Sequence, residues 1–250
     1  MYFFLRNLSI IDISYASDTV PKLLDILLRK SQCISMTGCF TQTYFFICFA
    51  CVEYILLSVM AYDRYSAICQ PLRYAVTMNE RVCKLMVTGT WTYGFLAPVI
   101  YTVLLSQFSY CGSHVINHFF CDVSALLQLS CSSTYAIEYV TYCAGVFVGM
   151  PCFIATLASY ICIISAILRI RSTEGRLKAF STCSSHLTVV ILFYGTLMGL
   201  YVRPTSMQSM EQNKLFAVLY NVLIPMFNPI IYSLKNKEVK KAVRKLFTRK

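Results

Sequence analysis

Long apolar runs interrupted by short charged clusters set the pattern of this chain. No Asp, Glu, Lys or Arg occurs from Leu85 to Cys121, from Tyr139 to Leu168, from Ala179 to Val202, or from Leu215 to Leu234. Between Ser31 and Tyr62 the only charge is Glu53, and between Asn7 and Pro21 the charges are Asp12 and Asp18. A helix crossing a bilayer needs about 20 mostly apolar residues. The pattern therefore predicts an all-α, polytopic transmembrane bundle with six spans, at about 3–28, 37–67, 83–106, 137–169, 177–201 and 213–234. The stretch from Ser106 to Ser133 loses the apolar continuity, gains Ser, Cys and His, and reads as a long loop. After the last span, Val239, Val243, Leu246 and Phe247 share one helical face among Lys and Arg. That predicts an amphipathic helix at about 236–248, lying on an anionic inner leaflet. Residues 1–250 read as one membrane domain.

Composition narrows the function classes. The 250 residues are 57% hydrophobic and only 13% charged, where a soluble domain carries about 25% charged residues. This excludes a disordered chain and most water-soluble enzymes, and it argues against a nucleic-acid partner despite a net charge of +11. The charge instead orients the chain. Seventeen of the 22 Lys and Arg fall on the side holding Arg64, Arg169 and the C-terminal end, against four acids, a net +13. The other side is neutral, and Asp12 and Glu53 at membrane depth contribute −2. The basic side is expected to be cytoplasmic, which puts both ends of a six-span chain there. The start Met1-Tyr2-Phe3-Phe4-Leu5-Arg6 lacks a signal-peptide pattern, and no internal repeat is evident.

Three features carry candidate chemistry. Asp12 and Glu53 are acids at membrane depth, where a charge is costly without a partner or a role. They are candidates for a shared interior site for a proton or a monovalent cation such as sodium; no other cofactor is expected. Asp63-Arg64-Tyr65 ends the second predicted span at its inner end. Arg64 can pair with Asp63 or reach across to another helix, which makes a two-state element. Pro225 and Pro229 break the hydrogen-bond ladder of the last span, with Asn228 and Tyr232 beside them.

Cysteines and short motifs add less. Cys39, Cys111, Cys121 and Cys131 lie on the outer, oxidising side, and four cysteines allow three pairings. Cys111, His114, His118 and Cys121 could alternatively ligate a metal, but oxidised cysteines cannot, and the disulfide reading is preferred. The remaining nine cysteines read as small apolar residues. Asn7-Leu8-Ser9 matches a glycosylation sequon at the inner end of a span, which marks a chance match. No G-x-S-x-G or H-E-x-x-H occurs, and the chain reads as no enzyme.

The longer motifs carry a resemblance. Met60-Ala61-Tyr62-Asp63-Arg64-Tyr65-Ser66-Ala67-Ile68-Cys69-Gln70-Pro71-Leu72-Arg73-Tyr74 resembles the MAYDRYxAICxPLxY signature of vertebrate olfactory receptors. Lys178 to Leu187 is similar to that family's KAFSTCxSHL, and Pro225 to Val239 to its PxxNPxIYSLxNKEV. Met1 to Asp12 resembles the family's second-helix motif. The resemblance implies a rhodopsin-like G-protein-coupled receptor in the plasma membrane. It would bind small volatile odorants and activate a heterotrimeric, olfactory-type stimulatory G protein, raising cyclic AMP. It implies disulfides Cys39–Cys121 and Cys111–Cys131. It implies a cation site flanked by Asp12 and Glu53, and a switch built from Asp63, Arg64, Tyr160, Asn228 and Tyr232. It implies an outer-half odorant pocket among Phe46, Ile47, Ala50, Cys51, Ala144, Val148, Leu197, Tyr201 and Asn221, apolar apart from contacts such as Tyr201 and Asn221. It also implies that the family's first helix lies outside these 250 residues.

Two other readings compete. A chain without the first helix could be a non-signalling fragment. A transporter would carry inverted repeats or paired broken helices, and only the last span shows a break of that kind.

Overall fold

The computed structural model of the protein describes residues 2–29, 33–111, 115–201 and 210–235. The region expected to form the C-terminal amphipathic helix lies outside the described residues, as do the side chains of Tyr201 and Tyr232. The described chain is helical throughout, apart from loops and one isolated bridge between Tyr110 and Ser130. In hydrocarbon every backbone polar group must be satisfied within its own segment, which apolar runs of this length achieve as helices.

The elements are α1 (Tyr2–Arg29), α2 (Met36–Cys69), the short α3 (Tyr74–Thr77) and α4 (Glu80–Gln107). They continue through α5 (Val123–Leu129), α6 (Tyr135–Ala144), α7 (Met150–Leu168), α8 (Thr173–Tyr201), α9 (Met210–Val218) and α10 (Ile224–Lys235). Side chains cap several starts. Ser35 Oγ accepts from the Gly38 amide at 3.1 Å, and Asn79 Oδ1 accepts from the Val82 amide at 3.0 Å. Among the described residues, Met36–Cys69, Tyr135–Leu168 and Lys214–Ile231 are long and apolar enough to cross a membrane. Thr173–Ser181 and Cys183–Leu197, bent by 45°, would together make a fourth such segment. Helices α1 and α4 have 28 residues each, about 42 Å at 1.5 Å per residue. They are less apolar because α1 carries Arg6, Asp12, Asp18, Lys22, Asp25 and Arg29, and the uncharged part of α4 holds Thr88, Gly89, Thr90, Thr92, Tyr93, Gly94 and Pro98.

Among the described residues, two π-helical turns interrupt the long helices, at Gly145–Gly149 between α6 and α7 and at Leu219–Leu223 between α9 and α10. Each is followed, after one residue, by a proline: Pro151 and Pro225. A proline has no N–H for the carbonyl four residues back, here Phe147 and Asn221, so the ladder must widen or break there. The sequence pattern marks the break in the last span through its prolines. The structure shows the break as a π turn just outside them.

Helix α2 is central. It packs against α1, α4, α7 and α8. The main core collects Phe4, Leu8, Ile11 and Tyr15 of α1 with Phe46, Val52, Leu56, Leu57 and Met60 of α2 and residues of α7 and α8 such as Ile163 and Phe193. On α1 those positions repeat every three or four residues, which makes one buried helical face. Lipid removes much of the hydrophobic drive between helices, so close approach at small residues matters more. Gly94 of α4 supplies it. A Cβ there would collide with Val52 Cγ2 and sit 3.1 Å from the Cys48 carbonyl oxygen.

Tyr54 adds a polar tie, donating its hydroxyl to the Gly149 carbonyl at 2.8 Å in the first π turn. A smaller core of Cys39, Leu105, Cys121, Leu126 and Ile137 seals the outer end.

The close approach at Gly94 gives a paired test. Gly94→Ala is expected to lower stability by about 1–3 kcal/mol through overpacking. Gly89→Ala, where an added Cβ meets nothing within 4 Å, is expected to be neutral or stabilising. Thermal unfolding of the two variants in lipid nanodiscs checks the difference.

Candidate functional site

The polar side chains inside the bundle form three layers. The middle layer joins three helices. Asn228 of α10 donates from Nδ2 to Asp12 Oδ1 of α1 at 2.8 Å and to Glu53 Oε1 of α2 at 3.5 Å. All three residues are buried, with Glu53 at 0% exposure. Glu53 Oε2 and Asn228 Oδ1 have no hydrogen-bond partner among the described residues. Two carboxyl groups sharing one amide in a low-dielectric interior repel each other when both are charged. A proton or a small cation there would relieve that repulsion, and the unpartnered oxygens are the donor type a hard monovalent cation takes. No cluster of three or more His, Cys, Asp or Glu suited to a metal occurs among the described residues.

The inner layer holds the Asp-Arg pair. Arg64 Nη2 lies 2.7 Å from Asp63 Oδ2, with both residues buried. Tyr74 of α3 donates its hydroxyl to Asp63 Oδ1 at 2.9 Å. Burial, then its bond to Asp63, push the Tyr74 phenol up to about 12. Tyr160 of α7, expected to act with Arg64, is buried and bonded to His186 Nδ1 of α8, with the two rings stacked 5.8 Å apart. His186 Nε2 has no hydrogen-bond partner among the described residues. Ser185 donates to the Ile231 carbonyl of α10 at 3.4 Å. In this arrangement Arg64 holds its own neighbour, and Tyr160 holds α8.

The outer layer is capped by the loop after α4. Disulfide Cys39–Cys121 ties the loop to α2, and Cys111–Cys131 closes a turn within it. Both match the pairing the resemblance implies, and with Cys111 and Cys121 oxidised the metal alternative loses two of its ligands. His114 lies outside the described residues. Gln42 Oε1 accepts from the Cys121 amide at 3.0 Å, and Thr43 donates to the Cys121 carbonyl at 2.8 Å. The loop then drives Phe120 down onto Phe46, with ring centroids 4.7 Å apart, and Phe46 also meets Tyr15 at 5.7 Å.

Ile47, Ala50 and Leu197 pack against the same core as Phe46. Ala144 precedes the first π turn and Val148 lies within it, both half-buried, as is Cys51. Asn221 is fully buried in the second π turn. The open grooves at the outer surface, such as that lined by Tyr135, Glu138, Tyr139 and Tyr142, share none of these residues.

Sequence reasoning gave no role to several polar contacts. His186 sits inside a quoted motif, and a histidine within an apolar run is the signal that marks it. Trp91 donates to Asn7 Oδ1 at 3.0 Å, and Asn7 Nδ2 donates to the Phe3 carbonyl at 2.8 Å. Asn7 is therefore occupied inside the bundle, and its sequon is no acceptor.

The comparisons with known proteins decide the family. The olfactory receptor family model matches residues 1–250. The chain belongs to the olfactory receptor family. It is 49% identical over 250 residues to Olfactory receptor 5AR1 of Mus musculus, covering 100% of this chain and 81% of that one. It is 50% identical over 246 residues to Olfactory receptor 5AP2 of Mus musculus, covering 98% and 78%. Its fold is similar to that of squid rhodopsin, with a TM-score of 0.70 at 14% identity, covering 98% of this chain and 70% of that one. This olfactory receptor is thus a multi-pass plasma-membrane protein of the odorant-sensing, G-protein-coupled type, and not an enzyme.

The outer loop of the receptor has a pH-dependent element. His118 is half-buried between Phe119 and Phe120, at centroid distances of 4.8 and 4.6 Å. Burial, reinforced by Lys214, lowers its pKa from 6.5, with Asp122 opposing. The docked loop therefore favours the neutral ring, while the undocked loop takes up a proton near pH 6.5. Docking is therefore expected to weaken as pH falls below about 6.5. Hydrogen exchange at 115–123, corrected for intrinsic rates, is expected to speed up at about pH 5.5 in the native chain. The pH effect is expected to vanish in His118→Gln.

Proposed function

We propose that odorants bind in the outer half of the bundle, beneath the Phe120 plug, and that binding is transmitted to the inner face. The expected contacts are Phe46, Ile47, Ala50, Cys51, Ala144, Val148, Leu197, Tyr201 and Asn221. Helices α1 and α4 cross the bilayer with the more apolar elements. On activation Arg64 leaves Asp63, Tyr160 leaves His186, and Asn228 and Tyr232 adjust around Pro229. A cleft then opens on the basic face and admits an olfactory-type stimulatory G protein, which raises cyclic AMP. Asp12 and Glu53 hold a monovalent cation, sodium in the cell, that favours the resting arrangement.

The observation that best supports this reading is the inner lock. Arg64 is paired with the residue beside it, so releasing it requires no unfolding of a helix. A local ion pair and a single tyrosine–histidine contact are few-kcal/mol elements of the size a ligand can shift.

Arg64→Ala is expected to abolish odorant-driven cyclic AMP while leaving surface display within about twofold. Normal output at normal display would sink the role of Arg64. Replacing sodium with a large organic cation is expected to shift agonist potency in the native receptor and not in Asp12→Asn. An equal shift in both would count against the cation site.

A further inference from the structure

Asn221 is 0% exposed, and neither its Oδ1 nor its Nδ2 has a hydrogen-bond partner among the described residues. Each of the other buried side-chain amides uses at least one of its two polar atoms, Asn228 leaving only its Oδ1 unpartnered among the described residues. Gln42 uses both atoms, on the Cys121 amide and the Asp18 carbonyl. Asn7 uses both, and Asn228 reaches two carboxyl groups. A buried amide left with both a donor and an acceptor unmade is costly, and such a group in a native fold calls for an occupant.

Its place in the fold says where the occupant sits. Asn221 lies in the π turn Leu219–Leu223, which packs against α1 and α8. Seven residues separate it from Asn228, two helical turns or about 10 Å toward the outer end. It therefore stands above the Asp12–Glu53 layer, on the buried stripe that runs from Ala217 to Asn228. Asp18, an acid at comparable depth on α1, does not serve it. Six residues from Asp12 is a rotation of about 240° on a helix, so Asp18 turns away from the last span that Asp12 faces.

A partner that serves both atoms of Asn221 must be neutral and able to donate and accept. A hydroxyl donates to Oδ1 and accepts from Nδ2, and so satisfies both atoms. A ketone, ester or ether only accepts and strands Oδ1. A carboxylate also only accepts, and adds negative charge to an interior that already holds Asp12 and Glu53. An ammonium only donates and strands Nδ2. We propose that Asn221 is the polar anchor of the odorant site and selects volatile alcohols, the apolar tail being buried among the aromatic and aliphatic residues of the outer half. This rests on the odorant-binding reading above and names its ligand class. A site built around a hydroxyl discriminates against the analogue that lacks one, because the protein's own polar atoms are then left unpaired.

The test is ligand binding to the purified receptor in lipid nanodiscs, read as the rise in unfolding temperature across a concentration series. The probes are straight-chain 1-alkanols and the methyl ethers and ketones of equal heavy-atom count. The expected result is that alkanols bind about tenfold tighter than matched ethers and ketones. Asn221→Leu is expected to erase that ratio while retaining binding of both through apolar contact, and Asn221→Thr, whose hydroxyl also both donates and accepts, to retain part of it. Equal affinities in the native chain overturn the proposal, whether or not the variants fold. A ratio that survives Asn221→Leu also overturns it, and assigns Asn221 to water-filled packing. Saturable binding without an alcohol preference leaves the receptor reading standing, whereas no binding of any class removes both.

Discussion

Two carboxyl groups buried beside one amide constrain this molecule more than any other feature. Asp12 and Glu53 come from different helices, and Asn228 reaches both from a third. In the bilayer interior a carboxyl group without a polar partner costs several kcal/mol. Helices α1, α2 and α10 therefore cannot separate or rotate far without exposing an acid to hydrocarbon. The amide is set at the right depth by the local break in its own helix. The π turn Leu219–Leu223 and Pro225 precede it and Pro229 follows it. A straight helix would present position 228 at a different angle.

Helix α2 connects that layer to the rest. In 34 residues it carries the outer disulfide at Cys39, the ring of Phe46 under the loop plug, Glu53, the Tyr54 tie to the first π turn, and the Asp63–Arg64 pair. The contacts differ in kind along its length. At the outer end they are covalent or tightly packed, as at the Cys39 disulfide and at Phe46 under Phe120, with the close approach of Gly94 to Val52 at mid-helix. At the inner end they are exchangeable polar contacts, Arg64 with Asp63 and Tyr160 with His186. A molecule fixed outside and releasable inside suits a receptor whose response appears on its inner face.

Much of the architecture was legible because charge is so costly in lipid. The stretches poor in charge locate helices such as Met36–Cys69 and Tyr135–Leu168 directly. The adjacency of Asp63 and Arg64 already allowed the local pair that the structure shows. The disulfide partners were not legible from spacing, since ten-residue intervals suit every pairing; the family resemblance supplied them. Other features depend on three-dimensional proximity. Nothing in the residues around Tyr160 indicates that its hydroxyl meets His186, because the contact joins two helices across a loop. The π turns escape a periodicity reading because one extra residue per turn barely shifts an already apolar pattern. Gly94 reads as an ordinary glycine until Val52 is placed against it.

The central claim is that Asp12, Glu53 and Asn228 act as one unit joining three helices. A double-mutant cycle on Asp12→Asn and Glu53→Gln, with unfolding free energy measured in nanodiscs, tests it most directly. Neutralising either acid relieves repulsion on the other, so the account predicts that the double variant departs from the sum of the singles by more than about 0.5 kcal/mol. Additivity within that margin would mean that the two acids do not sense each other, and would contradict the account.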